Sequence, residues 1–151
     1  MIYIASDHRG YNLKEYLKDY LTKAKIPFKD VGSHKFDPED DYPDLAFKAA
    51  RKVAENLKEN IGVLICGSGV GMAAAANKVK SIRAGLALDE WLAQHGREND
   101  DLNILVLAAD KTDFSLAERI LKAFLAAKFL NGEKYRRRVE KIEKWEEEHF
   151  R

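Results

Sequence analysis

The sequence predicts an α/β domain built on a five-stranded parallel sheet with helices on both faces. Two observations carry that prediction. Short apolar runs alternate along the chain with longer segments whose apolar residues recur at three- and four-residue spacing, the pattern of buried strands separated by amphipathic helices. In addition, Val63-Leu64-Ile65-Cys66 runs into Gly67-Ser68-Gly69-Val70-Gly71 and then an alanine-rich stretch, which reads as strand, tight loop and helix.

Taken in order, Ile2-Tyr3-Ile4-Ala5 is the first strand, and Ser6-Asp7-His8-Arg9-Gly10 a loop. Over residues 12–23, Leu13, Tyr16, Leu17, Tyr20 and Leu21 form one stripe, predicting a helix that lays these on the sheet and turns its lysines to water. Residues 27–31 form the second strand. A polar loop over 32–41 leads to Tyr42-Pro43-Asp44, where Pro43 suits the first turn of a helix running to about residue 60. The glycine loop and its helix follow. Residues 82–88 make a fourth strand, Asp89 caps a helix over about 90–98, and residues 103–107 make the fifth strand. Thr112 or Asp113 opens a helix carrying Leu116, Ile120, Phe124 and Leu125, closed by Asn131-Gly132. A last helix, about 132–149 and running to the chain end, aligns Tyr135, Val139, Ile142 and Trp145 and needs a surface to cover, on its own domain or on a partner subunit.

The 151 residues fit a single domain with a sizeable core. With 26 Lys and Arg against 25 Asp and Glu, the formal charge of +1 offers no global attraction to nucleic acid or to an anionic membrane. A small-molecule partner fits better. One cysteine excludes an intramolecular disulfide, and four histidines in no zinc-binding spacing point away from a metal. Neither a signal-peptide pattern nor an apolar segment near the ~18 residues of a membrane span is present, so the expected location is the cytoplasm.

The glycine loop is the candidate site. Its glycines let backbone approach a ligand closely, and the amides opening the next helix have no intrahelical partners and favour an anion. Cys66 stands where that anion would bind, and a thiol near a helix N-terminus is a usable base or nucleophile near neutral pH. A lone cysteine closing an apolar strand is also readable as an inert core residue. The spacing G-x-G-x-G matches neither the dinucleotide fingerprint G-x-G-x-x-G nor a Walker loop, which argues against NAD and nucleoside triphosphates. Because ligands of parallel sheets bind beyond the carboxyl ends of the strands, Asp7, His8, Cys66 to Gly71, Asp89 and the segment after Leu107 are expected on one rim.

Ser6-Asp7-His8, Asp41-Tyr42-Pro43-Asp44, Ile65-Cys66-Gly67-Ser68-Gly69-Val70-Gly71, Ala76-Asn77-Lys78, Ile82-Arg83-Ala84 and Asn103-Ile104-Leu105, in that order, resemble the type B ribose-5-phosphate isomerases and the related galactose-6-phosphate isomerase subunits. The resemblance covers nearly the whole chain. It implies a Rossmann-like, three-layer α/β/α sandwich, a homodimer or homotetramer with active sites at the subunit interface, and aldose–ketose isomerisation of a sugar phosphate through an enediolate, without cofactor or metal. By the same resemblance Cys66 carries the proton, Gly67, Gly69, Val70 and Gly71 line the oxyanion and substrate site, and Ser68 assists at the substrate oxygens. Asp7 and Tyr42 help to open the sugar ring, and His8 contacts the phosphate.

Several positions depart from the family pattern. Asn99 stands where a ring-opening histidine is usual, Asp110 where an arginine is common after the fifth strand, and Lys134 where a phosphate-facing arginine is usual, while Arg138 matches the family's second arginine. Asp110 is expected to repel a phosphate held there. His95, four residues before Asn99 and on the same helical face, is the candidate stand-in for the missing histidine. A working isomerase, most simply of ribose 5-phosphate, is one reading. The others are the cysteine-bearing subunit of a heteromeric galactose-6-phosphate-type isomerase and a non-catalytic sugar-phosphate-binding module.

Overall fold

In the computed structural model, which describes residues 1–150, five parallel strands stand in the order β2-β1-β3-β5-β4: β1 (Ile2–Ser6), β2 (Phe28–Gly32), β3 (Ile61–Cys66), β4 (Ala84–Leu86) and β5 (Ile104–Ala108). Arg151, the predicted end of the last helix, lies outside the described residues. Helices α1 (Tyr11–Lys23), α2 (Tyr42–Ala54), α3 (Val70–Ala76), α4 (Glu90–Asp100), α5 (Phe114–Ala126) and α6 (Glu133–His149) complete the chain. None is long and apolar enough, among the described residues, to cross a membrane.

The strand residues sort themselves between two cores by the two-residue period of a pleated chain. Ile2, Ile4, Val63, Ile65, Leu105 and Leu107 face one core, with Leu13 and Leu17 of α1 and Ile120 and Phe124 of α5. Tyr3, Ala5, Leu64, Cys66, Ile104 and Val106 face the other, with Ala46, Ala49 and Val53 of α2 and Met72 of α3. Three layers result, as expected. The central strands are apolar on both faces because both faces are covered.

Four expectations change. Lys14 does not face water: it is fully buried, with Nζ 2.9 Å from an Asp30 carboxylate oxygen and bonded to the Ser33 carbonyl. Periodicity places Lys14 beside Leu13 and Leu17 but cannot see the carboxylate waiting on β2. Helix α2 stops at Ala54 rather than near residue 60, because Asn60 Nδ2 donates to the Lys52 carbonyl at 2.9 Å and turns the chain off the helix. Strand β4 spans three residues, not the predicted seven (82–88). It is an edge strand paired only with β5, and before it the Arg83 amide is taken by the Asn103 side chain at 2.9 Å. Helix α5 ends at Ala126, and Gly132 is the N-cap of α6 instead of the stop of α5.

Helix α6 packs along α4 and the amino ends of the last strands. Its docking residues are Val139 and Glu146, the latter accepting the Ser81 amide at 2.8 Å, while Ile142 and Trp145 stay exposed. The predicted stripe is thus only partly covered within one chain.

Candidate active site

The carboxyl ends of β1, β3 and β5 meet because Ser6 is registered against Ile65 and Cys66 against Ala108. The Asp7 amide then donates to the Ile65 carbonyl at 3.2 Å, and the Asp110 amide to the Gly67 carbonyl at 3.0 Å. The turn after Cys66 is therefore clamped from both sides. This crevice lies beside the point where chain order departs to either side of β1 and β3, the place where open α/β sheets take ligands.

Cys66 is 4 % exposed, with Sγ accepting the Gly69 amide at 3.2 Å. Gly69 has φ 77°, which aims that N–H back at sulfur and starts α3; a side chain there would be strained. The exposed Ser68 hydroxyl accepts the Val70 amide at 3.3 Å, leaving the amides of Gly71 and Met72 as the first of α3 without an intrahelical partner.

Two side chains lie against the glycines of this loop. A Cβ at Gly71 would stand 2.7 Å from Cζ of Tyr42, so the Tyr42 ring rests on the loop. A Cβ at Gly67 would collide with the guanidinium of Arg9, which in turn is ion-paired with Asp110. Asp110 therefore does not present a bare charge to an anion, contrary to the repulsion expected from its type alone. Arg9 was not singled out by sequence reasoning, because its partner lies 101 residues away.

Asp7 caps a single 3-10 turn (His8–Gly10) by accepting the Gly10 amide at 3.0 Å, and burial raises its carboxyl above the ordinary value. His8 opens that turn. Its Nδ1 lies 2.7 Å from Asp40 Oδ1, which also accepts the His8 amide at 2.9 Å, and this hydrogen bond raises the imidazole's pKa. Asp40 is the second residue that sequence reasoning missed, since it sits in a loop without periodicity.

Asp7, His8, Tyr42, Cys66, Gly67, Ser68, Gly69, Val70 and Gly71 are gathered on one rim, as predicted. His95, Asn99, Lys134 and Arg138 are not brought to it within one chain. Asn99 lies near the end of α4, just before β5 begins, and so by the opposite rim. His95 is exposed on the same helix, its ring stacked on Trp91 at 4.6 Å and Nδ1 2.8 Å from the Asn99 amide nitrogen. Lys134 and Arg138 are exposed on α6. A groove of about 390 Å³ lined by Asn77, Arg83, Ile142 and Trp145 also belongs to that opposite rim and has no part in the Cys66 crevice.

The same architecture occurs in known proteins. A crystal structure of ribose-5-phosphate isomerase B from Mycoplasma genitalium with bound ribulose 5-phosphate superposes with a TM-score of 0.93 at 41 % identity, over 97 % of this chain and 96 % of that one. The ribose-5-phosphate isomerase B of Clostridium thermocellum gives 0.93 at 38 % identity over 98 % of both chains. A ribose-5-phosphate isomerase B of Listeria innocua is 39 % identical over 132 residues, 87 % of each chain. The sequence model described as Ribose/Galactose Isomerase matches residues 2–142, spanning every strand and the crevice they build, and the chain belongs to that family.

Proposed function

We propose that this protein is an aldose–ketose isomerase of sugar phosphates that interconverts ribose 5-phosphate and ribulose 5-phosphate. The observation that carries the reading is the Cys66 sulfur, held at the end of β3 beneath the glycine loop, with the Gly69 N–H on it at 3.2 Å. The names of the relatives supply the substrate class.

In the open-chain aldose the Cys66 thiolate takes the proton from C2, and the C1 carbonyl oxygen becomes the enediolate oxyanion. The loop amides around Gly71 face that charge; each such donor is commonly worth about 3 kcal/mol. The proton on O2 passes to O1, with the Ser68 hydroxyl beside both, and the thiol returns its proton to C1. The product is the ketose, and no atom or electron is gained or lost. Ring opening precedes this step. Asp7, protonated to higher pH than an ordinary carboxyl because it is buried, is suited to protonate the ring oxygen. The Tyr42 ring against Gly71 carries its hydroxyl to the same mouth.

The site is completed by a second copy of the chain, which makes the protein a homodimer or a tetramer of such dimers. His95, Lys134 and Arg138, exposed, and the half-buried Asn99, all remote from their own Cys66, then serve the neighbouring crevice, His95 in ring opening and the others in holding substrate. Exposed Val70, Leu88 and Trp91, around the loop and the start of α4, give that contact an apolar surface. Sedimentation at micromolar concentration is expected to show at least a dimer.

Turnover of purified protein on pentose and hexose phosphates tests the reading. Ribose 5-phosphate should be isomerised, and Cys66→Ala should lose at least about a hundredfold in kcat. Near-normal turnover by that variant would make Cys66 a packing residue. Asn99 in place of the family's histidine favours a second reading, the cysteine-bearing subunit of a heteromer; an inactive isolated chain restored by a partner subunit would establish it.

A further inference from the structure

We propose that Arg9 is a substrate-binding residue that holds the phosphate of the sugar phosphate, with Asp110 fixing its guanidinium over the glycine loop. The proposal rests on the isomerase reading above. It starts from a long-range pair: Arg9 follows β1, Asp110 follows β5, and their ion pair bridges the turn after β3 that begins with Cys66 and Gly67.

Three features make this arrangement a binding device instead of an ordinary surface ion pair. The guanidinium lies directly against Gly67, so close that a Cβ there would displace it, which puts the charge beside the residue that follows Cys66. Asp110 engages Nη2 alone and takes one of its two N–H groups, so one of the fork's two paired-donor edges is left for a ligand, and the side chain is 56 % exposed. The free edge suits two oxygens of a phosphate, which guanidinium binds bidentately. Lastly, the neighbouring residue is His8, held toward its cationic form by Asp40. Two cations thus stand side by side on one turn, each positioned by its own carboxylate. The cation stands at the end of the first strand and its clamp, a carboxylate, after the fifth.

The test is calorimetric titration of inorganic phosphate into full-length protein and into Arg9→Ala, with steady-state kinetics on ribose 5-phosphate alongside. Arg9→Ala should weaken phosphate binding at least about tenfold, the loss expected for a hydrogen-bonded charge, and raise KM more than it lowers kcat. In Arg9→Ala/Asp110→Arg, which places a cation on the other side of the same turn, most of the phosphate affinity should come back. Matching melting curves for parent and Arg9→Ala, expected for a half-exposed side chain, exclude misfolding as the cause. Equal phosphate affinity in parent and Arg9→Ala, absence of phosphate binding by the parent, or a double variant no tighter than the single one overturns the proposal. A parent that binds phosphate through Arg9 but isomerises nothing refutes the activity and leaves the proposal standing.

Discussion

His8 and Asp40 form a closed pair at the mouth of the crevice: one carboxylate oxygen accepts both the imidazole Nδ1 at 2.7 Å and the His8 amide at 2.9 Å. The ring is thereby oriented with Nε2 left for a ligand, and its pKa is raised, chiefly by that hydrogen bond. A histidine raised on folding adds stability that is fully present below its unfolded value of about 6.5 and fades as pH rises through the folded value. Asp40→Asn should therefore bring the His8 titration, followed by NMR, back toward the ordinary value. Its cost to thermal stability should be larger at acid pH than at alkaline pH. An unchanged His8 titration in the variant would dismiss Asp40 as the cause.

Asp7 separates stability from catalysis. Burial raises its carboxyl, so its contribution to folding is present below the unfolded value and is lost as pH rises through the folded one. Ionisation of Asp7 therefore costs stability. Asp7→Asn keeps an oxygen for the Gly10 amide and should melt at or above the parent's temperature at pH 7, while kcat on cyclic substrate falls about a hundredfold. A less stable variant with intact turnover would reduce Asp7 to a cap.

The buried Lys14 depends on Asp30. Burial works against the Asp30 carboxylate, but hydrogen bonds from Lys18 and Lys14 outweigh it and hold the group below its ordinary value. A carboxylate lowered on folding contributes stability that is present above its unfolded value and lost as pH falls through the folded one. Asp30→Asn strands the Lys14 ammonium in the interior and should lower unfolding free energy in urea by about 3 kcal/mol at pH 7. Near pH 3 the gap to the parent should narrow. A pH-independent gap would point to lost packing.

His95 is tested by the form of the sugar. If it opens the ring in a neighbouring site, His95→Asn should slow turnover of cyclic sugar phosphate and spare a substrate fixed in the open chain. Equal rates on the cyclic substrate would leave His95 a surface residue stacked on Trp91.

Much of the architecture was legible because it is written in local periods. The alternation of Ile2 to Ala5, Val63 to Cys66 and Ile104 to Leu107 dictates strands covered on both faces, and the glycine loop marks the one place where backbone must approach a ligand. What escaped was long-range and electrostatic. Lys14 has the spacing of any helix residue, and only the fold brings Asp30 to it. Asp110 looked repulsive because its charge was visible and Arg9, at the far end of the chain, was not connected to it. Element ends also escaped where asparagines satisfy the backbone: Asn60 stops α2, and Asn103 takes the amide that would have lengthened β4.

Asn77 has the same habit, with an effect beyond its own surroundings. Its side-chain amide donates to the Ala84 carbonyl at 2.9 Å and accepts the Ala84 amide at 2.8 Å, the two bonds a sixth strand would make there. A sheet rim normally invites the backbone of a stranger, since its unpaired groups are a template for growth. Here a single residue impersonates the missing neighbour on a strand only three residues long. Any chain sliding in beside β4 must first evict a bond pair already made, so the sheet is finished at five strands from within its own sequence.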